Sequence, residues 1–371
     1  MTEVEVQLGP RSYPIYVAAG ILEDLGAYAR RHLTGKRVLV VSDPPVGRLY
    51  GENVRRSLRN AGFIPLWAEI AGGEEAKTLD TVRDLYDAAL EGELERGDAV
   101  LALGGGVVGD VAGFVAATYM RGVAFVQVPT TLLAQVDSSV GGKVGVNHPR
   151  GKNLIGAFYQ PRFVLADTAT LETLPEREIR AGLAEVMKYG VIWEEAFFAW
   201  LEKEIERLLA LGSEAVEHAV ATSCRIKAAV VSADETEGGL RAILNFGHTV
   251  GHALEAATNY QRFVHGEAVA IGMVAEARLA LRLGYLAPPG VERIAALLSR
   301  TRLPRDIPAE IAPEALLEVM HRDKKVAGGQ LTFVLPEDIG RVKIVRGVPA
   351  EAVTAVVKEC RAGASRASAV T

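Results

Sequence analysis

Residues 99–110 read A-V-L-A-L-G-G-G-V-V-G-D, and this stretch decides the fold. Ala99–Leu103 is an uncharged apolar run of strand length, as expected for a strand buried on both faces. Gly104, Gly106 and Gly109 then satisfy G-x-G-x-x-G, with Gly105, Val107, Val108 and Asp110 filling the turn and opening a helix. Such a turn lets bare backbone N–H groups meet a pyrophosphate at a helix N-terminus. The Rossmann fingerprint also requires an acidic residue about 20 positions on, to hold the ribose. Pro129, Thr130 and Thr131 stand there instead, and the turn follows a whole βα unit. The turn therefore reads either as a dinucleotide site of another kind or as a tight turn only. Asp43, at the end of an earlier strand, is a candidate for polar contact with the nucleoside, as is the segment Gly72, Gly73, Glu74, Glu75, Ala76, Lys77.

Working outward, β-rich runs recur at Arg37–Ser42, Phe125–Val128 and Phe163–Ala166, with helical patterns at 46–61 and 79–90 between the earlier ones. Apolar strands separated by helices predict a parallel sheet with helices on both faces. Val4–Leu8 and Tyr13–Val17 alternate and predict an added hairpin. Near Thr173–Pro175 the composition changes to successive amphipathic helices, at 176–189, 195–210, 213–232, 247–257, 266–283, 290–299 and 314–322. A hairpin, LTFVLP then VKIV, follows, and the small polar residues at the C-terminus are expected to fray. The expectation is an α/β nucleotide-binding domain over 1–175 and a mostly helical domain over 176–371, with a ligand cleft between them.

Composition narrows the function. The 371 residues, 49 % hydrophobic, suffice for two cores. A net charge of −5 and scattered basic residues give no footprint for a nucleic-acid partner. Two cysteines far apart, Cys224 and Cys360, exclude a disulfide framework and a cysteine zinc site. The N-terminus lacks the basic and apolar regions of a secretory signal, and no apolar run reaches the roughly 18–20 residues that span a bilayer. A cytoplasmic protein is expected.

The sharpest local chemistry lies in 245–267, which holds His248, His252 and His265, three of the seven histidines. His248 and His252 are four apart and share a helical face, and neutral imidazole is the commonest zinc ligand. Thr249 stands where the zincin motif has its glutamate, so a metalloprotease is unsupported. Upstream, Val136–Asn147 and Gly151–Phe158 thread Asp137, Lys143, Lys152 and Asn153 through glycines and valines. This reads as an anion-binding stretch or as a surface loop with incidental lysines. In L-A-E-V-M-K-Y-G, Glu185 and Lys188 stand one helical turn apart among apolar neighbours, where a surface ion pair is the ordinary reading.

Taken together these segments resemble the 3-dehydroquinate synthases, within the sugar phosphate cyclases. The resemblance runs through GGGVVGDVAGFVAATYMRG, VPTTLLAQVDSSVGGKVGVN, GKNLIGAF, LAEVMKYG, LNFGHTVGHALE, HGEAVAIGM and RDKK, in family order, and covers about Gly72 to Lys325. It implies conversion of 3-deoxy-D-arabino-heptulosonate 7-phosphate (DAHP) into 3-dehydroquinate and phosphate, a step of the shikimate pathway to chorismate and aromatic amino acids. The route implied is oxidation at C5, phosphate elimination, re-reduction and aldol closure, with catalytic NAD and one divalent metal, zinc or cobalt.

The resemblance further implies Glu185, His248 and His265 as metal ligands, with His252 beside the substrate as a proton-transfer or hydrogen-bonding group. Lys143, Lys152, Asn153, Lys188, Lys227, Arg241, Asn245 and one of Lys324 or Lys325 would surround the substrate's carboxylate, hydroxyls and phosphate, oriented by Asp137. Arg121 would reach a neighbouring subunit's site, which implies a homodimer. NAD would lie on Gly72–Lys77, on Gly104–Asp110, on Thr130, Thr131, Lys143 and Lys152, and on Thr170, Leu171, Glu172 and Thr173, with Asp43 on the adenine side. Rival readings are an inosose or valiolone synthase, whose substrate lacks the carboxylate that Lys227 and Arg241 suit, and a metal-dependent alcohol or glycerol dehydrogenase, which would accumulate NADH.

Overall fold

The structure, a computed structural model, describes residues 1–324 and 331–362. The strands are β1 (Thr2–Val6), β2 (Tyr13–Ala18), β3 (Arg37–Ser42), β4 (Ile64–Glu69), β5 (Ala99–Gly104), β6 (Ala124–Pro129), β7 (Lys143–His148), β8 (Gly151–Phe158), β9 (Phe163–Asp167), β10 (Thr332–Asp338) and β11 (Arg341–Arg346). The helices are α1 (Leu25–His32), α2 (Pro44–Asn60), α3 (Leu79–Glu91), α4 (Gly106–Thr118), α5 (Glu176–Ile192), α6 (Glu195–Leu209), α7 (Ser213–Ala233), α8 (His248–Ala257), α9 (His265–Arg282), α10 (Pro288–Arg300), α11 (Pro313–Lys324) and α12 (Ala350–Glu359).

The chain forms two compact units: Met1–Leu174 with Ser213–Thr236, and Pro175–Gly212 with Glu237–Thr371. The first unit holds a seven-stranded sheet in the order β1-β2-β9-β6-β5-β3-β4, in which only β1 runs antiparallel to its neighbour. Alternation within each strand divides the core. Val38 and Val40 of β3 join Leu101 and Leu103 of β5 in a cluster with residues of α1 and α2. Leu39 and Val41 join Val100 and Ala102 in a second cluster, with residues of α3 and α4. Both faces are thus buried, which is why these strands read as unbroken apolar runs.

Strand order reverses between β3 and β5. In open α/β sheets ligands bind beyond the carboxyl ends of the strands at such a switch point. Here those ends are Ser42–Asp43 and the glycine turn, tied together where Ser42 Oγ donates to the Leu103 carbonyl at 2.8 Å.

The helix α7, read from sequence as part of the second domain, packs in the first unit instead. It lies against β1 and β2 and against the turn Ala134–Ser138. Its polar anchors are Cys224 Sγ to the Gln135 carbonyl at 3.2 Å, Lys227 to Asp137, and the Gln7 amide to Ser232 Oγ at 3.0 Å. Amphipathic spacing reveals a buried face but not the surface that covers it. The lysine-bearing stretch read as a possible surface loop is the antiparallel hairpin β7–β8. Strand β4 and helix α12 carried no signal that was recognised.

In the second unit α8 packs on α9, and α9 on α5. Glycines set these approaches. A Cβ on Gly272 would lie 1.9 Å from the Gly247 carbonyl oxygen, and one on Gly266 would lie 2.0 Å from that of Ala181. Gly247 itself sits at φ +82°, a conformation other residues rarely adopt. Since the obstructing atoms are backbone, Gly272→Ala should push the helices apart and cost about 1–3 kcal/mol or more, as overpacking does. The expected readout is a thermal midpoint lowered by several degrees; an unchanged midpoint would contradict this account of the packing.

Candidate metal centre and nucleotide-binding turn

Three helices of the second unit each contribute one donor. On α5, buried along most of its length, Glu185 is fully buried and Lys188 is 1 % exposed, with its ammonium against the Glu185 carboxylate. A buried ion pair carries a desolvation cost that a surface pair avoids, so these are not incidental surface charges. His248 and His265 occupy the first positions of α8 and α9. Glu185 Oε1 lies 3.6 Å from His248 Nε2 and 3.5 Å from His265 Nε2. All three donors fall within 4.8 Å of one another.

Ligands held at about 2.0–2.2 Å around a tetrahedral divalent ion stand roughly 3.3–3.6 Å apart, so one carboxylate and two imidazoles at these separations fit such an ion. The outer nitrogens agree. His248 Nδ1 faces the Phe246 carbonyl at 3.1 Å, and since a carbonyl only accepts, Nδ1 carries the proton and Nε2 keeps its lone pair toward Glu185. His265 Nδ1 faces Glu255 Oε1 at 3.5 Å. Burial holds His248 well below the ordinary imidazole pKa, in the neutral form a metal needs. Burial acts the same way on His265, but hydrogen bonds and charge from Glu185 and Glu255 outweigh it and raise its pKa.

His252 is exposed, with its ring centroid 5.2 Å from that of His248. With Glu255 and His265 it forms a second donor group that shares His265 with the first. Arg241, 1 % exposed, lies on the turn Leu240–Asn245, which Asn245 closes. Sequence reasoning missed two buried acids of the second unit, Glu255 and Glu276. The signal for Glu276 was available: it is the one charged residue in the apolar run 268–277, three helical turns after His265. Lys324 ends α11, and Lys325 lies outside the described residues.

In the first unit α4 opens at Gly105, which has no side chain to cap the N-terminal amides of the helix. Thr130 follows β6, and its hydroxyl oxygen is buried with no hydrogen-bond partner among the described residues. Thr131 Oγ1 accepts from the Ala134 amide at 3.1 Å. Asp43 caps α2, accepting from the Val46 amide at 2.9 Å, which by itself accounts for an acid at that place. Thr170, Leu171, Glu172 and Thr173 form one helical turn, on which the Tyr50 hydroxyl meets Thr173 Oγ1 at 2.6 Å.

The segment 72–77 is tied to the hairpin. Lys77, 3 % exposed, donates to Asp110 Oδ2 at 2.7 Å and to Asn153 Oδ1 at 2.5 Å. Glu74 Oε1 accepts from Asn147 at 2.8 Å, and Lys152 stands 3.9 Å from Glu74 Oε2. Asn153 adopts φ +54°. Lys143 is exposed at the start of β7. On α7, Lys227 donates to the Asp137 carbonyl at 2.6 Å and to its Oδ1 at 2.8 Å. Arg121, at φ +66°, follows Met120 in a short turn after α4.

The switch-point sheet of one unit and the carboxylate–bis-imidazole cluster of the other mark an enzyme of the nucleotide- and metal-using α/β class. Residues 67–181 match the family model described as 3-dehydroquinate synthase N-terminal, and residues 182–326 the one described as 3-dehydroquinate synthase C-terminal. The 3-dehydroquinate synthase of Desulforamulus reducens is 55 % identical over 97 % of this chain and 100 % of its own. The chain belongs to the 3-dehydroquinate synthase family.

Among solved structures, 2-deoxy-scyllo-inosose synthase complexed with carbaglucose-6-phosphate, NAD+ and Co2+ matches at TM-score 0.88 and 29 % identity, over 97 % of this chain and 100 % of that one. A 2-epi-5-epi-valiolone synthase from Streptomyces hygroscopicus subsp. jinggangensis 5008, with NAD+ and Zn2+ bound, matches at TM-score 0.86 and 28 % identity, over 93 % and 95 %. No helix among the described residues is long and apolar enough to cross a membrane.

The Cys224 thiol, locked on the Gln135 carbonyl, is pushed up to about 12 by burial. At pH 8 only about one molecule in 10⁴ would then carry the reactive thiolate. Iodoacetamide at pH 8 should leave Cys224 unlabelled in the native protein and modify it in urea, as read by peptide mass spectrometry. Native labelling would contradict the buried placement of α7.

Proposed function

We propose that this chain converts DAHP into 3-dehydroquinate and inorganic phosphate, as a carbon–oxygen lyase that uses NAD and one divalent cation. The observation that carries the reading is the Glu185–His248–His265 cluster, in metal-ligand spacing within a chain of this family. Two solved structures similar to this chain, one described with NAD+ and Co2+ and the other with NAD+ and Zn2+, support the choice of cofactors. When bound, NAD supplies a hydride acceptor and donor, and the cation polarises the substrate oxygen.

The residues divide by chemistry. Glu185, His248 and His265 hold the cation, and Glu255 and the Phe246 carbonyl orient the two imidazoles. The buried Lys188 keeps an ammonium beside Glu185, which suits a proton donor or an anion contact. His252, exposed on the same helix face, serves proton transfer or holds a substrate hydroxyl. Arg241 and Lys227 suit a carboxylate, with Asp137 fixing the Lys227 ammonium. Lys143, Lys152, Asn153, Asn245 and Lys324 or Lys325 complete the anion and hydroxyl contacts. In the first unit NAD lies on the glycine turn Gly104–Asp110, the segment Gly72–Lys77, Thr130, Thr131 and Thr170–Thr173. Arg121 reaches the site of a second copy in a homodimer. The cytoplasmic location and the shikimate role belong to the same reading.

Purified protein given DAHP, NAD and zinc should release one phosphate per substrate without a lasting rise in NADH absorbance. Net NADH accumulation would instead indicate a dehydrogenase, and turnover of a hexose or heptulose phosphate lacking the carboxylate would indicate another cyclase. Metal analysis gives a second check. His248→Ala and Glu185→Ala should lose the metal, whereas His252→Ala should retain it and turn over about 10²–10⁴-fold more slowly. Equal metal loss in all three would refute this division of roles.

A further inference from the structure

Helix α8 begins without the side chain that normally closes a helix. Its N-cap is Gly247, at φ +82°, and no side chain of the helix itself caps it. A capping box satisfies two orphan amides: an N-cap hydroxyl takes the N–H of the third residue, and an acid at that third position takes the N–H of the N-cap. In α8 the third residue is Val250, which can do neither.

A single carboxylate from another helix performs both tasks. Glu276 of α9, 0 % exposed, accepts from the Gly247 amide through Oε2 at 2.7 Å and from the Val250 amide through Oε1 at 3.2 Å. The carboxylate also complements the positive end of the helix dipole. Between the two amides it holds lies His248, whose Nδ1 is in turn held by the Phe246 carbonyl one residue before the cap. Moreover His265, on the other side of the cluster, is the first residue of the helix that carries Glu276.

We propose that Glu276 is a positioning residue for the metal centre: its carboxylate, acting as an inter-helix cap, sets the first turn of α8 and so aims His248 at the point that His265 and Glu185 face. The inference rests on the metal reading of Glu185, His248 and His265. A glutamate required only for folding would stabilise α8 without influencing how the imidazole meets a metal.

The test uses the full-length protein and the bare ions Zn2+ and Co2+. Glu276→Gln is isosteric, but it turns an amide N–H₂ toward one of the two backbone donors. In the metal-free protein it should speed amide exchange at Gly247 and Val250. It should also weaken Zn2+ affinity by about 10–100-fold, as loss of an outer-shell partner does, and alter the visible absorption of the Co2+-loaded protein. Glu276→Asp, which keeps two acceptors on a shorter side chain, should fall between wild type and Gln, and it decides the question by the same criteria if the Gln variant does not fold. A lowered thermal midpoint with unchanged metal affinity and unchanged Co2+ spectrum would overturn the proposal. The two readings fail separately: wild type that binds neither ion, or a His248→Ala variant that retains it, defeats the metal reading, whereas tight binding by wild type and Glu276→Gln alike defeats only the role of Glu276.

Discussion

The second unit depends on how closely three helices can approach one another. With any side chain at Gly266 or Gly272, α9 would collide with the backbone of α5 or with the start of α8. Close packing at those two points is what lets Glu185, His248 and His265, separated by up to 80 positions in the chain, stand as neighbours. A cluster of this kind tolerates little slack, because interiors packed at crystal density transmit displacements instead of absorbing them. The glycines act through what they leave out, and the placement of the histidines depends on the close approach this permits.

That close approach carries a cost which the rest of the unit offsets. Bringing α8 onto α9 removes room for a capping side chain and buries the first turn, where unsatisfied amides are most expensive. Glu276 resolves this from the opposite helix. A buried carboxylate would ordinarily be destabilising, but it is tolerable where it receives hydrogen bonds from backbone donors at a helix N-terminus. The same logic covers Glu185 and Lys188, each buried with the other.

The first unit works on a different constraint. Its strands are buried on both faces, so alternation divides one sheet between two apolar clusters, and polar chemistry is left to the strand ends. There the reversal of strand order brings Ser42–Asp43 beside the glycine turn. Lys77, Asp110, Asn153, Asn147 and Glu74 then link three separate segments into one polar network, with the buried Lys77 among partly exposed partners. Asp110 and Asn153 offset the desolvation of the Lys77 ammonium, which is how a lysine comes to lie inside the unit.

Much of this was legible in the chain alone. The run 99–110 announced strand, turn and helix because two-sided burial demands uninterrupted apolar residues and a tight turn demands glycine. The helical periods of α6, α8 and α10 were readable because one face of each is buried, whereas α5 and α9 are covered on nearly every side. Spacing alone made His248 and His252 look like the metal pair, and a resemblance spread over seven motifs was needed to bring Glu185 in. Tertiary structure decided the rest. It placed α7 with the first unit, made a hairpin of a stretch that could have been a loop, buried Glu185 with Lys188, and set Glu276 under the first turn of α8. The reason is physical: periodicity records that a face is covered, whereas the identity of the covering surface arises only from contacts between residues distant in the chain.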